Sequence, residues 1–187
     1  MVQSLRVIDL SRFSSEDFDR GASRIKEGLW LMVKCLFFCL PIPLPSGLRV
    51  LLLRAFGAKV GKGVVLRAGL NVSFPWRLEL GDHVWLGEDV AILSLARVTI
   101  ESHVCISQCA YLCTGSHDYQ RDDFALQTQP IVLRRGCWVA AQAFVGPGVE
   151  IQSGSVIAAG AVVTKSVEEN VLIGGNPARV IRIIDRS

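Results

Sequence analysis

The sequence predicts an all-β chain wound into a parallel β-helix of triangular cross-section, with about five coils. A short helical segment precedes the coils and a loop protrudes at 118–132. Three observations carry this prediction. From Leu133 an aliphatic residue returns at every sixth position, at Val139, Val145, Ile151, Ile157 and Val163. Four places after each stands a small or β-branched residue, namely Cys137, Ala143, Val149, Ser155, Ala161 and Val167. The same register runs upstream as Val60, Leu66, Val72, then Leu80, Leu86, Ile92, then Ile100, Ile106, Leu112, each triplet starting 20 residues after the last. Neither a helical period of 3.6 nor strict alternation produces a six-residue return, whereas a coil of short flat sides with two inward positions per side does. Each side then stacks on its equivalent in the next coil at the ~4.8 Å spacing of paired strands. Gly and Asp in GD, GED and GPG suit corners that need unusual backbone angles.

In chain order, residues 1–55 form an N-terminal appendage and 56–187 the coiled domain. Within the appendage, GLWLMVKCLFFCL (28–40) and SGLRVLLLRAF (46–56) are apolar runs divided by PIPLP. Neither reaches the roughly 18 residues that span a bilayer, and the prolines break a continuous helix. They read as two short helices. Covering the open base of the prism is the favoured role, because exposed strand edges need a cover; lying on a membrane surface is the alternative, supported by Arg24, Lys26, Lys34, Arg49 and Arg54. The opening MVQSLRVIDL has no apolar leader core, so a cytoplasmic chain is expected, at the inner face of the membrane if the helices lie on it. With 187 residues, a net charge of +3 and dispersed Lys and Arg, one domain with a real core is expected and a nucleic-acid partner is not.

Six cysteines, with no CxxC pair, read as free and mostly buried thiols. No metal is expected at Cys105, Cys109 and Cys113, since a four-residue step shares a face only in a helix. His83 and His103 fall near corners and read as structural. His117 differs, for it ends a side at the root of the long loop. A residue type that titrates near neutrality, placed where a loop leaves a rigid scaffold, suits acid-base work.

The repeats, together with YLCTGSHDY and VVTKSVEENVLIGGNPARVI, resemble the hexapeptide-repeat acyltransferases over residues 56–182. DLSRF, FGAKVGKGV, FPWRLELGDHVW and ISQCAYLCTGSHDY are most similar to the colanic-acid biosynthesis branch, which modifies bacterial exopolysaccharide sugars. The resemblance implies a left-handed coil, a homotrimer with active sites between subunits, and O-acetyl transfer from acetyl-CoA directly to a sugar hydroxyl. It places His117 as the general base. On the donor side it implies backbone contacts at Ala141 and Ala159, Thr164 and Lys165 near the nucleotide end, and Arg179 and Arg182 near the phosphates. The acceptor positions correspond to Asp89 and Ser94, a departure from the maltose-type enzymes. Cys113 is expected to pack, since direct transfer needs no acyl-enzyme.

Counting to the sixth position of each third side gives a column Arg77, Arg97, His117, Glu150. Glu150 is therefore expected to orient the His117 ring; the alternative is that the loop shifts His117 and a backbone carbonyl holds it. Rival functions are acetylation of a small molecule such as an antibiotic or serine, a zinc hydratase, and a non-catalytic trimeric scaffold. The separations of His83, His103 and His117 do not match the hydratase ligand spacing.

Overall fold

The computed structural model describes residues 7–16, 18–39 and 44–185; most of the PIPLP break lies outside them. Three parallel sheets form the walls of a left-handed prism. Face one holds Lys59–Val60, Leu78–Leu80, Val98–Ile100, Ile131–Leu133 and Glu150–Ile151. Face two holds Val65–Leu66, Trp85–Leu86, Cys105–Ile106, Trp138–Val139, Val156–Ile157 and Val171–Gly174. Face three holds Asn71–Val72, Ala91–Leu93, Tyr111–Cys113, Phe144–Val145 and Val162–Val163. The aliphatic series of the sequence becomes vertical columns: Val60, Leu80, Ile100, Leu133 and Ile151 are successive Cα partners on face one. Leu66, Leu86, Ile106, Val139, Ile157 and Ile173 are partners on face two.

Face two has six parallel strands, so the prism has about six turns rather than five. The sixth is hard to count from the sequence because its face-one side shrinks to a single bridge, Ile151 to Val167. The last strand is covered by an antiparallel one, Arg179–Ile183.

Corners repeat as well. Between faces two and three, Gly69, Asp89, Cys109, Gln142 and Gly160 all have φ between 56° and 75°. The non-glycine members accept a left-handed conformation, which costs about 1–2 kcal/mol each, because the stack dictates it. Gly69 is required twice over, since a Cβ there would lie 1.9 Å from the Asp89 carboxylate. His83 and His103 stack at the first corner with centroids 5.3 Å apart, which fits a structural role.

The base is closed by α1 (Arg24–Lys34), a π-helical turn Cys35–Cys39 and α2 (Ser46–Ala55). Helix α1 starts at Arg24 because the Ser23 hydroxyl accepts from the Lys26 amide as an N-cap. Trp30, Phe38 and Leu53 are buried against the first coil, and the Trp30 indole donates to Val72 O at 2.9 Å. Ser46 Oγ pairs with both Val64 O and the Leu66 amide, so a hydroxyl stands in for the missing strand below. No helix among the described residues is long and apolar enough to cross a membrane.

Two expectations need correction. The protrusion does not extend to 132: Gly115–His117 pairs antiparallel with Leu126–Thr128, and Ile131 already stacks on Val98 in the wall. The cysteines are not mostly buried: Cys35, Cys39 and Cys109 are exposed and Cys105 is half-buried, while Cys113 and Cys137 are buried. Burial pushes the Cys137 thiol up to about 11. The Cys105, Cys109 and Cys113 positions fall on face two, a corner and face three, so their steps turn them in different directions.

Since columns carry the core, Leu133→Ala, in the middle of one, should cost about 2–5 kcal/mol of stability. Urea unfolding of the parent and variant measures it; a cost near zero would mean that the column is not the core.

Candidate active site

The third coil leaves the prism after Thr114, whose buried hydroxyl donates to Leu93 O at 2.6 Å and accepts from the Ala96 amide. Thr114 O then takes the Gln129 amide at 2.9 Å, closing the root of the hairpin. His117 stands on this hairpin, half-buried. Its ring stacks on Phe124, with centroids 4.2 Å apart and planes 2° from parallel, and meets Phe13 edge-on at 5.5 Å. Its Nδ1 lies 2.8 Å from Phe124 O. A carbonyl oxygen only accepts, so Nδ1 carries a hydrogen, and in the neutral ring the lone pair is then on Nε2.

The orienting group is thus a backbone carbonyl, not Glu150. The Glu150 carboxylate accepts from Arg134 at 2.6 Å and from Gln152 at 3.1 Å, and Arg134 also holds Glu101. The column count failed for a definite reason. The upstream third sides carry two extra residues before the next face, whereas Val145 leads to Ile151 without them. Glu150 therefore pairs with Val132 on face one, in line with Thr99 and Glu79.

The N-terminal strap clamps the hairpin. The Asp9 amide donates to Asp122 O at 2.8 Å, and Arg12 pairs with the Asp122 carboxylate. At the tip, the neighbouring Arg121 guanidinium holds the Asp123 carboxyl below the usual carboxylate range. Between strap and hairpin lies a cavity of about 420 Å³ lined by Ser14, Ser15, Phe18, Asp19, Arg77, Ala125, Leu126 and Thr128. Leu126 is the direct partner of His117, and Thr128 that of Gly115. The cavity therefore adjoins the strand paired with His117, although His117 is not itself among its lining residues. Arg77 lies over the Phe18 and Phe74 rings and donates to Asp19 O. These strap residues are what sequence reasoning missed. DLSRF signalled the segment but not its contact, and Phe124 acts through a backbone atom that any residue has.

Ser94 is not available to a ligand. It is fully buried, and its hydroxyl both donates to Phe74 O and accepts from the Phe74 amide, at 3.0 and 2.9 Å. A small polar residue at an inward position ties coils together there. Asp89 is exposed at the corner between faces two and three, whereas the hairpin leaves the corner between faces three and one. Within one chain the width of face three separates Asp89 from His117.

Ala141 and Ala159 occupy that same corner between faces two and three, each opening a tight turn closed by Ala143 N to Ala140 O and Ala161 N to Ala158 O. Ala141 O takes the Gly160 amide, so the two turns stack. Among the described residues neither the Ala141 nor the Ala159 amide has a partner within the chain. Thr164, Lys165 and Arg179 come together, lining a cavity of about 360 Å³ along with Glu168. Its two cations suit phosphate oxygens. Arg182 is exposed on the last strand opposite Leu172 and does not line this cavity.

No family model matches the chain. Over 174 residues it is 45% identical to WcaF of Escherichia coli K12, named for an acetyltransferase role in colanic acid biosynthesis; the match covers 93% of this chain and 96% of WcaF. Galactoside O-acetyltransferase of the same species is 29% identical over 137 residues, 72% of this chain and 68% of its own. A hexapeptide-repeat acetyltransferase of Vibrio cholerae, solved with acetyl-CoA, superposes with a TM-score of 0.79 at 27% identity, covering 94% of this chain and 97% of that one. With a prism of six-residue sides and 45% identity to WcaF over nearly the whole of both chains, the chain belongs to the hexapeptide-repeat acetyltransferases.

Proposed function

We propose that the protein moves an acetyl group from acetyl-CoA to a saccharide hydroxyl in bacterial exopolysaccharide synthesis, in the cytoplasm, with His117 as general base. One observation supports it above the rest: the imidazole is held by a backbone carbonyl at Nδ1, which leaves Nε2 as the nitrogen available to act as a base. A free hydroxyl is a poor nucleophile near neutral pH, and a base on it supplies what the step lacks. Nε2 takes the hydroxyl proton as the oxygen bonds to the thioester carbonyl carbon. The carbon–sulfur bond then breaks, and the imidazolium returns its proton to the departing sulfur. Ser14, Asp19 and Arg77 supply donors and acceptors for a polyhydroxylated acceptor in the cavity. For the donor, Lys165 and Arg179 serve the phosphates, while the Ala141 and Ala159 amides meet the pantetheine arm.

The same reading makes the working unit an assembly of copies, a homotrimer. The hairpin leaves one edge of the prism, and Ala141 and Ala159 line another. A single site that uses both edges takes one from each of two neighbouring chains. Outward residues of face two, Trp85, Cys105, Trp138 and Val156, form a largely apolar stack that suits such a contact.

The primary test follows thiol release from acetyl-CoA with saccharide acceptors. His117→Ala should lower acceptor-dependent turnover by on the order of 100- to 10,000-fold while the melting temperature stays near the parent's; undiminished turnover removes His117 from the mechanism. Arg179→Ala should raise KM for acetyl-CoA more than it lowers kcat, since phosphate contacts are made alike in ground and transition states. Equal KM in variant and parent places Arg179 outside the donor site. The composite site has its own readout. Ala159→Trp blocks the donor edge and His117→Ala removes the base, so each alone is inactive. Refolded together in equal amounts, they should recover about a quarter of parental activity from sites that draw both intact edges; no recovery would confine the site to one chain.

A further inference from the structure

The helical base carries more apolar surface than a cover needs. While Trp30 and Phe38 turn inward, Ile25 is 76% exposed, Leu29 48%, Met32 54% and Leu36 50%. These four stand at i, i+4, i+7 and i+11, one stripe along α1 and the π-helical turn that continues it. Leu51 on α2 is exposed as well. A solvated helix has no use for such a stripe.

We propose that this base docks on an anionic lipid bilayer, with the stripe at the boundary of headgroups and acyl chains. Charge names the partner. Residues 20–62 hold eight Lys and Arg against one carboxylate, Glu27, whereas the whole chain holds 20 against 17, so the remainder of the molecule is net acidic. Of the eight, Arg49 is buried, Arg20 pairs with Glu27 and Lys59 pairs with Glu79. Arg24, Lys26, Lys34, Arg54 and Lys62 have no carboxylate partner among the described residues. Lys26 lies over the Trp76 ring, Lys34 donates to the Asn71 amide oxygen, and Arg54 holds the Val60 and Gly61 carbonyls. The trimer contact proposed above uses face two, and a further copy docking here by its own equivalent surface would bring like charges face to face, whereas anionic headgroups attract them. The helices are too short to span, so they lie in the plane of the interface.

The full chain should sediment with vesicles of phosphatidylcholine and phosphatidylglycerol at low salt, progressively less as salt rises, and not with phosphatidylcholine alone. Leu29→Gln with Met32→Gln should weaken partition by about tenfold or more, and Arg24→Gln with Lys62→Gln by about fivefold per cation, each with an unchanged melting temperature. His117→Ala should bind vesicles like the parent, so docking stands or falls apart from the transfer chemistry. A parent that stays in solution with the anionic vesicles at low salt, or an apolar-stripe variant that binds as well as the parent, overturns the proposal. So does a parent that ignores vesicles but loses a self-association when Leu29 and Met32 are changed, which assigns the stripe to a second copy.

Discussion

Everything in this molecule depends on the in-register stacking of aliphatic side chains inside the prism. Each coil places one large apolar residue and one smaller one inward per side, and each is met above and below by its equivalent. A slip of one residue would turn the inward set outward and the polar set inward. Burial therefore locks the register as firmly as the backbone hydrogen bonds do. Locking the register also locks the edges, from one of which the hairpin bearing His117 leaves. Corner residues such as Asp89, Cys109 and Gln142 hold a disfavoured backbone conformation because the stack on either side leaves no other.

The columns were legible in the sequence because their signal is a repeated apolar residue, from Leu133 through Val163 and again upstream. The helices of the base were legible for the same reason, and their start shifted to Arg24 only because the Ser23 cap lies outside the apolar run. Other features left a weaker trace. Glu150 was misplaced because a count of sides assumes equal sides, and two extra residues per upstream coil broke the assumption. Ser94 corresponds by resemblance to an acceptor position, yet its inward placement turns the hydroxyl into a tie between coils. The exposed thiols sit on corners and on the base, where the repeat places no inward residue.

The candidate site divides in the same way. His117 was legible as a titratable residue at an irregularity in a regular pattern. Its partner was not, because Phe124 O is a backbone atom and becomes a partner only when the hairpin closes. The clamp between Arg12 and Asp122 joins residues 110 positions apart, a pairing that no local pattern encodes. Arg179 and Lys165 converge only because the last strand turns back along the final coil.

The hairpin carries one more consequence. Ile131 resumes the wall on Val98 as if residues 115–129 were absent, and Thr114 seals the gap with its own hydroxyl and carbonyl. The insertion is thus grafted onto the prism without disturbing a single column. A lineage of such proteins is free to lengthen, shorten or exchange that graft while the columns of the prism stay the same. Change confined to the hairpin then carries little risk to folding, because no column of the core passes through it.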